Sequence, residues 1–128
     1  MHRYRMNRRT YWVSLAIVLV GLGILVSAGW THGGLELAMV AIGIPRLHDI
    51  GRSGWIVGGV IAGEFVAIFG ALLSGGGSVA IAITGGLIVL IVAGLAIWLG
   101  LIPGESGPNK WGDQPPSGVH LWGARSRG

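Results

Sequence analysis

Residues 79–102, VAIAITGGLIVLIVAGLAIWLGLI, contain no charged side chain. A bilayer core about 30 Å thick is crossed by roughly 20 apolar helical residues, within a range of about 17–25. Tyr11–Ala28 (YWVSLAIVLVGLGILVSA) meets that length, and Trp55–Leu73 (WIVGGVIAGEFVAIFGALL) meets it with one acid inside. Gly33–Ile44 (GGLELAMVAIGI) is short. It reaches full length only if its helix continues through Pro45 and Arg46 toward Ile50, and it is read as a second span ending at a polar corner. Composition agrees, because only 11% of the residues are charged against about 25% in an ordinary soluble domain. So little polar surface cannot cover a water-exposed globule.

Charge placement gives the expected topology. The turns Thr31-His32-Gly33-Gly34 and Ser74-Gly75-Gly76-Gly77-Ser78 carry no lysine or arginine. All nine basic residues fall in the N-terminal tail, in the corner Arg46–Trp55 (RLHDIGRSGW) or in the C-terminal tail. Positive charge in short loops marks the cytoplasmic side. The reading is an all-α membrane protein with four transmembrane helices in two hairpins and both termini cytoplasmic. It is a single integral membrane domain over 1–128, with a basic N-terminal tail at 1–10 and a Pro/Gly-rich cytoplasmic tail at 103–128. Arg8-Arg9, an apolar stretch and Val26-Ser27-Ala28 imitate a cleavable signal. Cleavage would flip the later spans and put the basic corner outside, so the first run is read as a retained span. The basic residues flank spans and form no separate basic domain, which argues against nucleic acid as a partner. There is no cysteine, hence no disulfide framework or cysteine metal site.

Small residues recur at helical spacing on the last two spans: Gly59, Gly63, Ala67 and Gly70, then Ala82, Gly86, Ala93, Ala96 and Gly100. In lipid, such stripes let helices approach closely. They are expected to join these two spans as a hairpin, or otherwise to form a homo-oligomer seam. Glu64 sits mid-span, where a charged side chain costs about 2.5–3.5 kcal/mol to insert. It is read either as a proton or cation relay or as a neutral acid bonded to neighbouring backbone or Thr84. Glu36 is read as interfacial.

The corner carries the candidate site. Gly51 suits the left-handed residue after a helix ending near Ile50, and Ser53 suits the cap of the next helix. Asp49 can pair with Arg46 one turn back or accept from the turn amides. Arg46, Arg52 and the amides of the Gly-Ser-Gly turn make an anion cradle, for which the abundant cytoplasmic anion is a phospholipid headgroup. His48 and Asp49 are adjacent, so on a helix they point about 100° apart and form no catalytic dyad by themselves. No metalloprotease, nucleophile-elbow or phosphate-loop pattern is present. The site is therefore read as non-catalytic, with no metal and no cofactor. After Ile102, the Pro-Gly-rich tail PGESGPNKWGDQPP stops the helix and emerges on the same side as the corner, where it can fold across it.

RLHDIGRSGW followed by PGESGPNKWG resembles the paired signature of the domain of unknown function 805 family of small bacterial inner-membrane proteins. Asn7–Trp12 (NRRTYW) is similar to that family's R-x-x-YW start of the first span. Three departures stand out. Pro45 replaces the usual first arginine of the corner, Lys110 replaces a tail arginine, and residues 55–102 are longer than the family pattern. The resemblance implies a bacterial inner-membrane location and brings Asn109 and Lys110 into the candidate site, but it implies no activity.

The sequence is thus read as a membrane adaptor. Its cytoplasmic surface, with Arg46, His48, Asp49, Gly51, Arg52, Ser53, Asn109 and Lys110, binds anionic phospholipid or a membrane protein partner. The alternative is a small oligomeric transporter or channel, proton-linked through Glu64. An intramembrane enzyme using His48 and Asp49 is the weakest reading.

Overall fold

The computed structural model describes residues 5–29 and 34–121; the side chain of Leu35 and the turn residues Thr31, His32 and Gly33 lie outside that description. The described chain is helical: α1 (Arg8–Ser27), α2 (Gly34–Ala38), a π-helical turn (Met39–Gly43), α3 (Ile44–Asp49), α4 (Trp55–Leu73) and α5 (Gly77–Leu101). Three of these, α1, α4 and α5, are long and apolar enough to cross a membrane. The chain reads as a multi-pass membrane protein.

The expected fourth span is the one that differs. Residues 34–49 form one continuous rod, since Ala38, Gly43 and Ile44 all keep right-handed helical dihedrals at the junctions. At about 1.5 Å per residue such a rod is roughly 24 Å long, short of the bilayer core. Its middle turn is widened into a π-helix just before Pro45. Proline has no N–H to donate and its ring crowds the carbonyl four residues back, and a π-bulge is one way a helix absorbs such a break.

Local chemistry sets the ends. The Asn7 side chain accepts from the Thr10 N–H at 2.8 Å and starts α1. Gly51, at φ +74°, ends α3. Its N–H donates to the His48 carbonyl at 3.3 Å, while the Arg52 N–H reaches back to Leu47 at 2.8 Å. These are the two bonds of a Schellman turn. Ser53 Oγ accepts from the Trp55 N–H at 3.3 Å, so it does serve the start of α4. Ile102 is extended (ψ 131°), as a residue before proline prefers to be, and α5 stops there.

The core lies toward one end of the bundle. Met6, Tyr11, Met39, Ile42, Leu47, Ile50, Val57, Val92 and Leu99 are buried together. Along the long helices, large apolar side chains such as Leu19, Val20, Val66, Phe69, Leu90 and Ile91 point outward, as lipid-facing helices require.

The two small stripes do not meet. α4 packs on α5, and the residues that these two helices send into the buried core are the larger Val57, Val60 and Ile61 and Ile88, Val92 and Leu95. A Cβ built on Gly59, Gly63, Gly70 or Gly86 would touch nothing within 4 Å. Apart from Glu64 the two helices carry no charged residue, so no amphipathic stripe selects the packing face. Only the C-terminal end of the second stripe is used. The Tyr11 hydroxyl donates to the Ala96 carbonyl at 2.7 Å, and Trp12 Nε1 to the Gly100 carbonyl at 3.1 Å.

Candidate functional site

At that packed end, three segments distant in sequence are tied around one carboxylate. Asp49 closes α3 and is 3% exposed. Its Oδ2 accepts from Arg46 Nη1 at 2.5 Å, one helical turn back, and its Oδ1 accepts from Arg5 Nε at 3.2 Å and Nη2 at 3.1 Å. Its backbone carbonyl accepts from the Glu105 N–H at 2.8 Å. The tail therefore folds across the corner.

Arg46 is fully buried and spends its donors inside the protein. Nε reaches the Leu99 carbonyl at 2.8 Å, Nη1 reaches Met6 at 3.2 Å, and Nη2 donates to Ile102. Leu99 and Ile102 stand at the C-terminal end of α5, where helix carbonyls lack intrahelical partners and a cation is favoured. Arg46 thus caps a helix end that lies more than fifty residues further along the chain. Arg5 does the same for the tail, donating to Gly107 and Glu105, each at 2.7 Å, and to Gly112 at 3.2 Å.

The tail is held in register by Asn109. Its Nδ2 donates to the His48 carbonyl at 3.0 Å and to Glu105 at 2.7 Å, while its Oδ1 accepts from the Trp111 N–H at 2.9 Å. Asn109 and Gly112 also exchange two backbone bonds. Trp111 then lies flat on His48, with ring centroids 4.1 Å apart and planes 8° from parallel. Lys110 Nζ sits 5.0 Å from the indole centroid. Gly104 admits this closure, since a Cβ there would stand 2.1 Å from Asp49 Oδ2. Farther along, Asn7 Nδ2 donates to Pro116 and Gly118, both at 2.8 Å, and the His120 N–H donates to Thr10 Oγ1 at 2.9 Å.

The two signature motifs, RLHDIGRSGW and PGESGPNKWG, therefore form one interlocked unit. A family model described as "Protein of unknown function (DUF805)" matches residues 24–113, a segment that contains both. The chain belongs to the DUF805 family. The start of the first span, Asn7–Trp12, lies outside the matched segment. No curated protein and no solved structure matches the chain.

Among the residues read as a headgroup cradle, the structure separates two groups. Arg46 and Asp49 are buried and committed to each other, to Arg5 and to backbone carbonyls, so the cradle of two open arginines is not formed. Gly51 and Ser53 shape the turn, and Asn109 and His48 hold the tail. Arg52 and Lys110 are exposed. Arg5 is a site residue that the sequence does not mark, since its charge alone reads only as a topology signal. Its partner lies 44 positions away, and nothing local distinguishes it from Arg8 or Arg9. Glu36, read as interfacial, lines a cavity together with Glu64.

Proposed function

We propose that this DUF805 protein is a four-crossing adaptor of the bacterial cytoplasmic membrane, with both termini cytoplasmic, that presents a rigid basic platform to anionic lipid. The observation that carries the reading is the clasp, which joins the residues before α1, those before α4 and those after α5 into one body. These segments share one end of the bundle, while the far end of α1 and the α4–α5 turn lie a helix length away. Residues 28–50 connect the far end of α1 to the clasp. That path supports a fourth crossing by the interrupted helix despite its shortness. The uncharged turns at the far end and the basic clasp agree with the positive-inside rule.

Around the clasp, Arg8, Arg9, Arg52 and Lys110 are exposed, and Trp55 is 85% exposed at the start of α4. An indole at headgroup level flanked by cations suits an anionic interface. The reading assigns the platform no catalytic step. A buried clasp with exposed cations at its rim separates folding from binding: the inner arginines hold the shape, and the outer ones meet the ligand.

Each basic side chain near an anionic surface adds about 1 kcal/mol, roughly fivefold in affinity. Replacing Arg8, Arg9, Arg52 and Lys110 together by alanine should strip cardiolipin and phosphatidylglycerol from the purified protein in native mass spectrometry, with thermal stability close to the parent's. Retention equal to the parent's would rule out the lipid platform and leave a protein partner as the surviving form of the adaptor.

A further inference from the structure

From Gln114 to Leu121 the tail carries no Asp, Glu, Lys or Arg. Near its end, Val119 is 47% exposed and Leu121 is 46% exposed. On a tail trailing into water such side chains would mean nothing, because scattered apolar residues are ordinary on protein surfaces. Here their place is fixed. Asn7 Nδ2 holds the carbonyls of Pro116 and Gly118, and the N–H of His120, between the two apolar residues, donates to Thr10 Oγ1. Asn7 is the N-cap of α1, and Thr10 lies in its first turn. The end of the tail is therefore bonded to the start of a helix long and apolar enough to cross a membrane.

That bond sets a depth. The charges of α1 end at Arg9, and its uncharged run starts at Thr10. The headgroup layer is roughly 5–8 Å deep on each side of the hydrocarbon, and a helix rises about 1.5 Å per residue. The first turn of α1 therefore lies within that layer, and a segment bonded to it shares the level. Exposed Arg8 and Arg9 on the same turn suit lipid phosphates there, while apolar side chains at this depth reach the acyl boundary. We propose that Val119 and Leu121 anchor the end of the tail in the headgroup–acyl boundary of the bilayer that α1 crosses. The proposal rests on the platform reading for the membrane face the two share, but its driving force is apolar burial rather than charge. The tail is then a strap fixed at both ends, by Asp49 and Arg5 near its start and by lipid near its finish.

The chain has no cysteine, so single nitroxide labels can be placed on the full chain through Val119→Cys, Leu121→Cys and, as an exposed acidic reference, Asp113→Cys. All three positions are exposed, and labelling them separately lets each site check the others. The samples are nanodiscs of phosphatidylcholine alone. Collision of each nitroxide with oxygen, which concentrates in lipid, is compared with collision with a water-soluble nickel chelate. The ratio of oxygen to chelate collisions should be several-fold higher at Val119 and Leu121 than at Asp113. A ratio at either site equal to that at Asp113 places the side chain in water and overturns the proposal. Slow collision with both reagents overturns it as well, because the label is then covered by protein rather than lipid. The discs contain no anionic lipid, so failure here leaves the platform reading standing. Equally, retention of cardiolipin by the four-cation variant would remove the platform and leave this anchor untouched.

Discussion

Replacing Asp49 by alanine should open the clasp. In the native protein its carboxylate lies between two guanidinium groups that are 0% and 1% exposed by side chain. Removing it raises the buried charge at this point from one net positive to two. Arg46 Nη1 keeps the Met6 carbonyl and Arg5 Nη2 keeps Glu105, but Arg5 Nε has only Asp49 among its partners here. Breaking a buried ion pair from one side costs about 3–5 kcal/mol, chiefly through the charge left uncompensated. Asp49→Asn loses the same charge and sets an amide N–H₂ against one of the two guanidinium groups, so it should fall in the same range of about 3–5 kcal/mol. The assay is unfolding free energy from denaturant titration in mixed micelles, beside limited proteolysis of the tail at 103–121. Both variants should unfold more easily than the parent, with their tails cut first. Adding Arg5→Met to Asp49→Ala should cost less than the sum of the single changes, because the second removes a charge that the first orphaned. If Asp49→Ala unfolds within about 0.5 kcal/mol of the parent, the range of an uninvolved surface position, with a protected tail, the clasp does not hold this fold together.

Gly104→Ala should reproduce part of that phenotype with no charge change, since its Cβ would collide with Asp49 Oδ2 at 2.1 Å; tail proteolysis reports it, and a tail as resistant as the parent's would refute the close approach. Gly100→Ala, whose Cβ would stand 2.2 Å from the Trp12 ring, should destabilise by about 1–3 kcal/mol as an overpacked contact, whereas Gly63→Ala, with nothing within 4 Å, should melt like the parent. Equal losses at both positions would mean that the outward stripe is packed after all. For topology, single cysteines at Thr31 and Ser78 should label from outside intact cells, while those at Ser53 and Ser117 should label only after the membrane is opened. External labelling at Ser53 would refute the four-crossing arrangement.

Hydropathy and run length sufficed to identify α1, α4 and α5, because insertion into lipid depends on the apolar content of each local segment. The α4 bounds, Trp55–Leu73, coincide with the apolar run read from the sequence. Turn chemistry was local as well. Gly51 is the left-handed residue after α3 and Ser53 serves the start of α4, since each depends on its own dihedrals or on an amide two residues away. The family was legible too, because its two motifs are continuous in the sequence.

Packing faces and site roles were decided elsewhere. On a helix with almost no amphipathic pattern, no periodicity marks the buried side, so small-residue spacing points to a seam while the larger residues are the ones that enter the core. Arg46, Arg5 and Asp49 are separately unremarkable charges near spans. Their meaning comes from bonds linking residues 44 to more than 100 positions apart, which bring the end of α5 and the tail onto the corner. A guanidinium read alone as a ligand for lipid phosphate becomes, once another helix presents unsatisfied carbonyls beside it, the cap of that helix. Sequence determined which three helices are long and apolar enough to cross a membrane. Only tertiary contact decided which charges are buried and which stay exposed, because burial and partnership are properties of neighbours that the chain order does not contain.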